Sequence, residues 1–362
     1  MRNKTIIVTG GGTGGHLMPA IAICEKLQAR GASVILVTDA RCKDYLPNKL
    51  PFRAVIINVQ RLKTITKIFT SLYSWVKALF DAVNLIDKEK AVAVVGCGGY
   101  SSLPLILSAL CMRKKIILHE QNAYVGRTNY FFAYLSDLLF LSFMHTVNIP
   151  LIDNKKIVWS GIPLTQKHED NAASKKPVLS KKTITILITG GSQGASILDE
   201  MIIEAIRLLK NKLHNKEIKV IQQVRSSICA DLKKAYAEIN VESDVANFYH
   251  NMESNYLDAD IYIGRAGASS VNEIINYKIP AIFVPYPHAQ NNHQYYNAMN
   301  LAEFKAAIVL KQQDMTPETL CNKLLEIIEN PEYTNKMVSK LDEMQIDSAE
   351  IITTQIHKII DK

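Results

Sequence analysis

A short β-branched run that leads at once into glycines and then into a helix occurs twice in this chain, and this repetition constrains the fold more than any other feature. The first copy runs from Thr5 to Thr9, through Gly10-Gly11-Gly12-Thr13-Gly14-Gly15-His16, to the helically spaced Ile21-Ala22-Ile23-Cys24-Glu25-Lys26-Leu27. The second runs from Thr183 to Thr189, through Gly190-Gly191-Ser192-Gln193-Gly194-Ala195, to a helix from Ile197. Glycine at such a junction admits positive φ and lets a ligand approach the main chain. The N–H groups at the mouth of the following helix favour an anion, usually a phosphate. Each copy predicts a parallel α/β unit with a nucleotide-type site at its strand end.

The rest of the chain follows the same plan. Further strand candidates are Ser33–Thr38, Val55–Val59, Val92–Val95, Ile116–His119 and Leu138–Leu141 in the first half. In the second half they are Ile218–Gln222, Ala246–Phe248, Ile261–Ile263, Ala281–Val284 and Ala307–Val309. Helical stretches alternate with them, as in parallel α/β domains. At 362 residues the chain suits two domains. Gly161-Ile162-Pro163 and the polar, Lys-rich stretch through Lys182 have the composition of a linker. Open parallel sheets bind ligands at the carboxyl ends of their strands. The expected fold is therefore α/β, two Rossmann-like domains with parallel sheets facing a central cleft.

Charge is unevenly distributed. Residues 1–161 carry a formal +11 and residues 162–362 a formal −3. A basic first half suits a polyanionic substrate or an acidic lipid surface. No nucleic-acid-binding module accompanies it, so no nucleic-acid partner is expected. Within residues 61–84, Leu62, Ile65, Phe69, Leu72, Val76, Leu79 and Phe80 recur at three- and four-residue spacing, with Tyr73 and Trp75 at the flank and Lys63, Lys67 and Lys77 among them. That pattern fits a helix lying at a lipid interface, or a core helix with solvated lysines. No apolar run reaches the ~20 residues of a membrane span. The chain enters a strand at once, with no charged-then-apolar leader in view. Six scattered cysteines, without a C-x-x-C pair, read as reduced thiols of a cytoplasmic protein rather than a disulfide framework or a zinc site.

The first glycine loop admits two chemistries. Gly10, Gly12 and Gly15 fit the dinucleotide spacing, with Asp39 as the ribose acid of an NAD-dependent dehydrogenase. His16 favours group transfer, since hydride transfer has no need of an acid–base group at the helix mouth. A His capping a tight turn is a third possibility.

Four more segments narrow the choice: Gly96-Cys97-Gly98-Gly99-Tyr100-Ser101-Ser102; His119-Glu120-Gln121-Asn122; Gly264-Arg265-Ala266-Gly267-Ala268-Ser269-Ser270-Val271-Asn272-Glu273; and Pro285-Tyr286-Pro287-His288 with Asn291-Asn292-His293-Gln294 and Asn297-Ala298. Each follows an apolar run. Together with the two glycine loops, in this order, they resemble the MurG family of glycosyltransferases. The resemblance implies a GT-B fold and transfer of N-acetylglucosamine from UDP-N-acetylglucosamine to the muramyl sugar of undecaprenyl-diphosphate-linked muramyl-pentapeptide (lipid I to lipid II, with inversion). It also implies work at the cytoplasmic face of the inner membrane, with an anionic membrane surface as a partner. No cofactor is implied, and no metal held by an Asp-x-Asp motif. A non-catalytic sugar-nucleotide-binding protein is the remaining alternative.

The resemblance assigns roles residue by residue. His16 and Glu120 are the catalytic candidates on their own chemistry: an imidazole that titrates near neutrality suits His16 as base or acceptor-positioning group, with a helix cap or an acceptor-phosphate contact as the alternatives, and Glu120 orients it or acts instead. Thr13, Gly14, Gly15, Asn122, Ser192, Tyr249, Ala268, Ser269, Ser270, Glu273 and Gln294 become donor-site residues. Ser192 and the helix opened by Ala268, Ser269 and Ser270 would meet the diphosphate, Glu273 the ribose, and Asn122 and Gln294 the sugar. The main chain around Tyr249 would hold the base. Gly98, Gly99, Tyr100 and Ser101 look like a wall of the acceptor site. His288 and His293 read as loop structure or secondary contacts. One departure stands out: where the family has Gly-Asn-Pro and then an Arg for the donor diphosphate, this chain has Gly161-Ile162-Pro163-Leu164-Thr165. Thr165 lacks the charged fork of Arg, so Arg265 is a candidate replacement. The implied division is an acceptor- and membrane-facing domain over 1–161, with a C-terminal helix at about 345–362 packed back on it, and a UDP-sugar domain over 162–344.

Overall fold

The computed structural model describes residues 1, 4–47, 49–59, 68–164, 181–190, 196–249 and 251–361. The chain forms two compact units, Met1–Glu169 with Ile346–Lys362, and Asp170–Gln345. Gly161, Ile162 and Pro163 are buried inside the first unit rather than opening a linker.

The first unit is built on a parallel sheet of β1 (Thr5–Thr9), β2 (Ser33–Thr38), β3 (Arg53–Ile56), β4 (Ala93–Gly96), β5 (Lys115–Glu120), β6 (Leu138–Leu141) and β7 (Ile157–Trp159), in the order β3-β2-β1-β4-β5-β6-β7. Its central strands are apolar along their middle because both faces are covered. Ile6 and Val8 of β1 point to one face, where they join Leu17, Ile21 and Cys24 of α1 (Gly14–Ala29) and Ile352 and Ile356 of the C-terminal helix Ser348–Ile360. Ile7 points to the other, with Ala78, Ala82 and Ile86 of α2 (Ile68–Lys88) and Ile106 and Ala109 of α3 (Leu103–Cys111). A short α4 (Arg127–Ala133) links β5 to β6. Ion pairs of Lys26 with Asp347 and of Arg30 with Glu350 fasten the C-terminal helix along α1.

The second unit repeats the plan with β8 (Thr183–Thr189), α5 (Ser196–Lys212), β9 (Glu217–Gln223), α6 (Cys229–Glu238), β10 (Glu242–Ala246), α7 (Met252–Asp258), β11 (Ile261–Gly264), α8 (Ala268–Tyr277), β12 (Ala281–Phe283), α9 (His293–Ala302) and β13 (Ile308–Val309). The parallel order is β10-β9-β8-β11-β12-β13. Helices α10 (Pro317–Glu329) and α11 (Pro331–Glu343) follow. Thr316 caps α10 in a reciprocal capping box with Thr319.

Three strands differ from the sequence expectation, and all three lie at sheet edges. β3 begins at Arg53 rather than Val55, β10 spans Glu242–Ala246 rather than Ala246–Phe248, and β7 was not expected. An edge strand needs no continuous apolar run, and β3 and β10 are largely solvent-facing. Among the described residues no helix is long and apolar enough to cross a membrane.

Strand order reverses between β1 and β4 in the first sheet and between β8 and β11 in the second. These switch points open crevices at the strand carboxyl ends, the usual ligand position in such sheets. At the second, Gly264 ends β11 so tightly that a Cβ would strike the Tyr262 hydroxyl and lie 2.6 Å from the Thr189 carbonyl oxygen. Gly264→Ala is therefore expected to destabilise the protein by roughly 1–3 kcal/mol through overpacking, seen as a lower urea midpoint at unchanged m-value. An unchanged midpoint would mean that Tyr262 and Thr189 yield freely.

Candidate active site

At the first switch point each glycine meets a different neighbour. Gly10 lets α1 pack on the strand end, where a Cβ would strike the His16 carbonyl and lie 2.9 Å from Ala20 Cβ. A Cβ on Gly11 would lie 2.7 Å from both Asp39 Oδ2 and Ser101 Oγ. Gly12 has a φ of +87°, and a Cβ there would lie 3.1 Å from Arg41 Nη2. Thr13 then precedes α1 without a side-chain cap, so the first-turn N–H groups of Gly14 and Gly15 receive no such partner from it.

A second glycine turn closes over the first. Gly98 and Gly99 follow β4 at φ values of +83° and +78°, a region that favours glycine. The Cβ position on Gly98 is 3.3 Å from both His16 Nδ1 and Gln121 Oε1, and that on Gly99 is 3.0 Å from the Gly11 carbonyl oxygen. The half-buried His16 ring thus lies against this turn, with Tyr100 and Ser101 beyond it.

Asp39 is not available to a ribose. Its buried carboxylate accepts from Arg41 Nε at 2.9 Å and Nη2 at 2.6 Å. Burial pushes its pKa up, but the hydrogen bonds and charge of Arg41 more than offset this and hold it below the usual carboxylate value. The dinucleotide reading loses its acid here. The same pair holds a guanidinium 4.7 Å from the Tyr100 ring. Arg41 was not among the expected site residues; its only signal in the sequence is a cation two residues after a strand-end Asp.

The strand-end segment His119-Glu120-Gln121-Asn122 corrects a second expectation. Glu120 does not orient His16. Its Oε1 accepts from the Asn122 main-chain N at 3.0 Å and Nδ2 at 3.4 Å, and its Oε2 from Gly126 N and Asn129 Nδ2, both at 2.9 Å. A carboxylate committed to four donors shapes its loop. The partner of His16 is Gln121, whose Oε1 lies 2.8 Å from His16 Nδ1. Gln121 in turn meets His119, which reaches the Gly161 carbonyl oxygen.

In the second unit, Ala268, Ser269 and Ser270 form the first turn of α8 after Gly267, again without a side-chain cap. One turn on, Glu273 accepts from the Tyr256 hydroxyl at 2.6 Å. Burial pushes the Glu273 carboxyl up to about 7, with the Tyr256 hydrogen bond acting the other way. Gln294, in the first turn of α9, accepts from the Tyr286 main-chain N at 2.9 Å. The Tyr249 hydroxyl donates to the Asp244 carbonyl at 2.8 Å, fastening that side chain to β10. His293 Nδ1 lies 2.8 Å from the Gln290 carbonyl oxygen, and His288 packs edge-on to Tyr286. Ser192 and Thr165 lie outside the described residues.

Arg265 does not stand in for a diphosphate-binding Arg. It is buried, donates from Nη1 to the carbonyls of Val284 and Pro285 and from Nη2 to Gln312, and braces the strand ends. Asp258-Ala259-Asp260 has the form of a metal-binding Asp-x-Asp but stands at the opposite, amino end of β11. There Asp260 accepts from Thr185 N and pairs with Lys181 at 2.6 Å. Among the described residues no cluster of His, Cys, Asp and Glu has a metal-binding arrangement.

Comparison with known proteins agrees with this architecture. Residues 6–137 match the glycosyltransferase family 28 N-terminal domain, and residues 185–352 match the glycosyltransferase family 28 C-terminal domain. A protein of Rickettsia bellii (strain RML369-C), named UDP-N-acetylglucosamine--N-acetylmuramyl-(pentapeptide) pyrophosphoryl-undecaprenol N-acetylglucosamine transferase, is 34% identical over 358 residues, covering 99% of this chain and all of its own. The crystal structure of Acinetobacter baumannii MurG has a TM-score of 0.78 at 27% identity, covering 98% of this chain and 99% of that one. A putative UDP-N-acetylglucosamine 2-epimerase from Listeria monocytogenes shares the fold alone, with a TM-score of 0.71 at 12% identity over 100% of this chain and 97% of its own. With both family 28 domains present and MurG relatives matched along its whole length, the chain belongs to the MurG family of glycosyltransferases and has the GT-B fold.

Proposed function

We propose that this enzyme moves N-acetylglucosamine from UDP-N-acetylglucosamine to the muramyl sugar of undecaprenyl-diphosphate-linked muramyl-pentapeptide, the lipid I to lipid II step of peptidoglycan synthesis. The reading is carried by its end-to-end relation to transferases named for that reaction. The acceptor hydroxyl oxygen forms a bond to the anomeric carbon from the face opposite the diphosphate. The anomeric C–O bond breaks as UDP departs with the electron pair, and the hydroxyl proton passes to Nε2 of His16. A half-buried imidazole at the mouth of α1 suits that transfer.

The leaving diphosphate is assigned to the N–H groups of Ala268, Ser269 and Ser270 and to Ser192, since backbone donors and a helix N-terminus stabilise charge developing on oxygen. Glu273 is assigned to the ribose hydroxyls, Gln294 and Asn122 to the sugar, and the main chain at Tyr249 to the base. Thr13, Gly14 and Gly15 would meet the donor sugar and the acceptor diphosphate, with Gly98, Gly99, Tyr100 and Ser101 as the acceptor wall. Glu120 serves catalysis only by shaping the loop that carries Gln121 and Asn122.

The proposed seat is the cytoplasmic face of the inner membrane, held peripherally on anionic lipid. Support comes from α2. Its inward face is Ala78, Ala82 and Ile86, while Leu72, Tyr73, Val76 and Phe80 are 58–71% exposed at helical spacing. Lys77 is exposed beside them, and residues 61–67 lie outside the described residues. An outward apolar stripe with a lysine, on a helix whose other face packs in the core, supports an interfacial docking role.

Three outcomes are expected. Labelled N-acetylglucosamine should pass to a lipid I analogue, and His16→Ala should lower the transfer rate constant by ~10²-fold or more with UDP binding little changed. Unaltered turnover would remove His16 from catalysis, and no transfer by the unaltered enzyme would leave a binding protein.

Glu273 sets a pH dependence. Its folded pKa of about 7 lies above the ordinary 4.5, so its stabilising contribution is complete below pH 4.5 and is lost as pH rises through 7. Relative to Glu273→Gln, the protein should lose on the order of 1–3 kcal/mol between pH 4.5 and 8 in urea titrations. UDP binding should tighten over the same range, and the variant should flatten that curve. Parallel curves for the two proteins would exclude the ribose role.

Vesicle co-sedimentation tests α2. Leu72→Ser with Phe80→Ser, or Lys77→Gln, should weaken binding to anionic vesicles while UDP affinity holds, the lysine effect fading at high salt. Equal sedimentation of all three would place the docking surface elsewhere.

A further inference from the structure

The ring of His16 ends a chain of hydrogen bonds whose direction is set at the other end by a main-chain carbonyl. His119, fully buried at the end of β5, has its Nε2 3.0 Å from the Gly161 oxygen. A carbonyl oxygen only accepts, so Nε2 carries a proton. Burial, above all, pushes the His119 pKa down to about 4, the Gly161 contact acting upward and nearby His16 downward. The neutral ring therefore has its lone pair at Nδ1.

That lone pair faces Gln121 Nε2 at 2.8 Å, and the same nitrogen lies 3.2 Å from the His119 carbonyl oxygen. Two acceptors at one end of an amide identify that end as the NH2 group. The other end, Oε1, then faces His16 Nδ1 at 2.8 Å and can only accept. So Nδ1 of His16 holds the ring proton and Nε2 holds the lone pair. Histidine free in water prefers the reverse.

We infer that Gln121 and His119 are positioning residues that hold His16 as its Nδ1–H tautomer, with the Nε2 lone pair presented to the acceptor hydroxyl. The inference rests on the reading of His16 as the base. When Nε2 takes the proton, the imidazolium keeps its Nδ1–H···Oε1 bond, so the ring need not turn during transfer. A neutral amide also orients the ring without the standing negative charge of a carboxylate, which would favour the imidazolium before reaction. The Gly98 and Gly99 turn also packs against the ring.

The test is long-range 1H–15N NMR of the 15N-labelled full chain at pH 8, where signals of the nine histidines are assigned with His16→Ala and His119→Gln. His16 should show a protonated Nδ1 and an unprotonated Nε2, and His119 a protonated Nε2. An Nε2–H pattern at His16, or the averaged shifts of a free imidazole, would overturn the inference without any variant needing to fold. Gln121→Met keeps length but removes the acceptor. It should abolish the Nδ1–H pattern of His16 and lower kcat at least ~10-fold, with KM for UDP-N-acetylglucosamine nearly constant. If the tautomer changes and kcat does not, Gln121 positions nothing that matters to transfer. The reading of His16 as base fails separately, through full turnover by His16→Ala while the tautomer in the unaltered protein stands as assigned.

Discussion

The first unit's site depends on the absence of Cβ atoms where two strand-end turns meet. Gly11 lies between Asp39 and Ser101, Gly99 rests on the Gly11 carbonyl, and Gly98 faces the His16 ring, each leaving no more than a Cβ's width. Positive φ at Gly12, Gly98 and Gly99 turns both chains sharply enough to make that contact. A methyl group at Gly11 would part Asp39 from Ser101 and drive the turns apart. The imidazole, which is located by the second turn, would move with them. Close backbone approach and the placement of the His16 ring are thus one constraint.

Packing far from the strand ends reaches the same ring. Gly161 adopts φ +71° against Ser348 and Ile346 at the start of the C-terminal helix. That helix is seated on α1 by Ile352 and Ile356 and by the pairs of Lys26 and Arg30. The Gly161 carbonyl, aimed by this packing, receives the His119 proton, and the sense of every later bond to His16 follows. A segment some 190 residues beyond Gly161 in sequence thereby bears on the protonation of a residue near position 16.

Full charges and neutral donors have separate duties. Glu120, Arg265 and the Asp39 carboxylate are committed to loops and strand ends. The groups we assign to substrates are mainly main-chain N–H, hydroxyl, amide and imidazole, a set able to stabilise charge that develops on a departing diphosphate. Glu273 is the exception. Its desolvated carboxyl, drawn up to about 7, accepts from the Tyr256 hydroxyl, and in the proposed role it would accept from ribose hydroxyls as well.

Much of this was legible in the sequence, for identifiable reasons. Central strands such as β1, β5, β8 and β11 announce themselves because both faces are buried and their middle positions form a continuous apolar or β-branched run. The glycine turns are legible because only glycine tolerates their φ values and close contacts, and their order along the chain carried the MurG-family resemblance. Edge strands β3 and β10 were legible only to within a few residues, and β7 not at all, since one side faces water and imposes no run. Nor were the partners: that Gln121 rather than Glu120 holds His16, that Arg41 occupies Asp39, and that Arg265 is a buried brace. His16 and Gln121 are 105 positions apart. Local pattern records which residue types a backbone conformation and a buried face will accept. Which acceptor a donor meets is decided only when strand order brings distant loops together, and there hydrogen bonding acts over less than 3 Å.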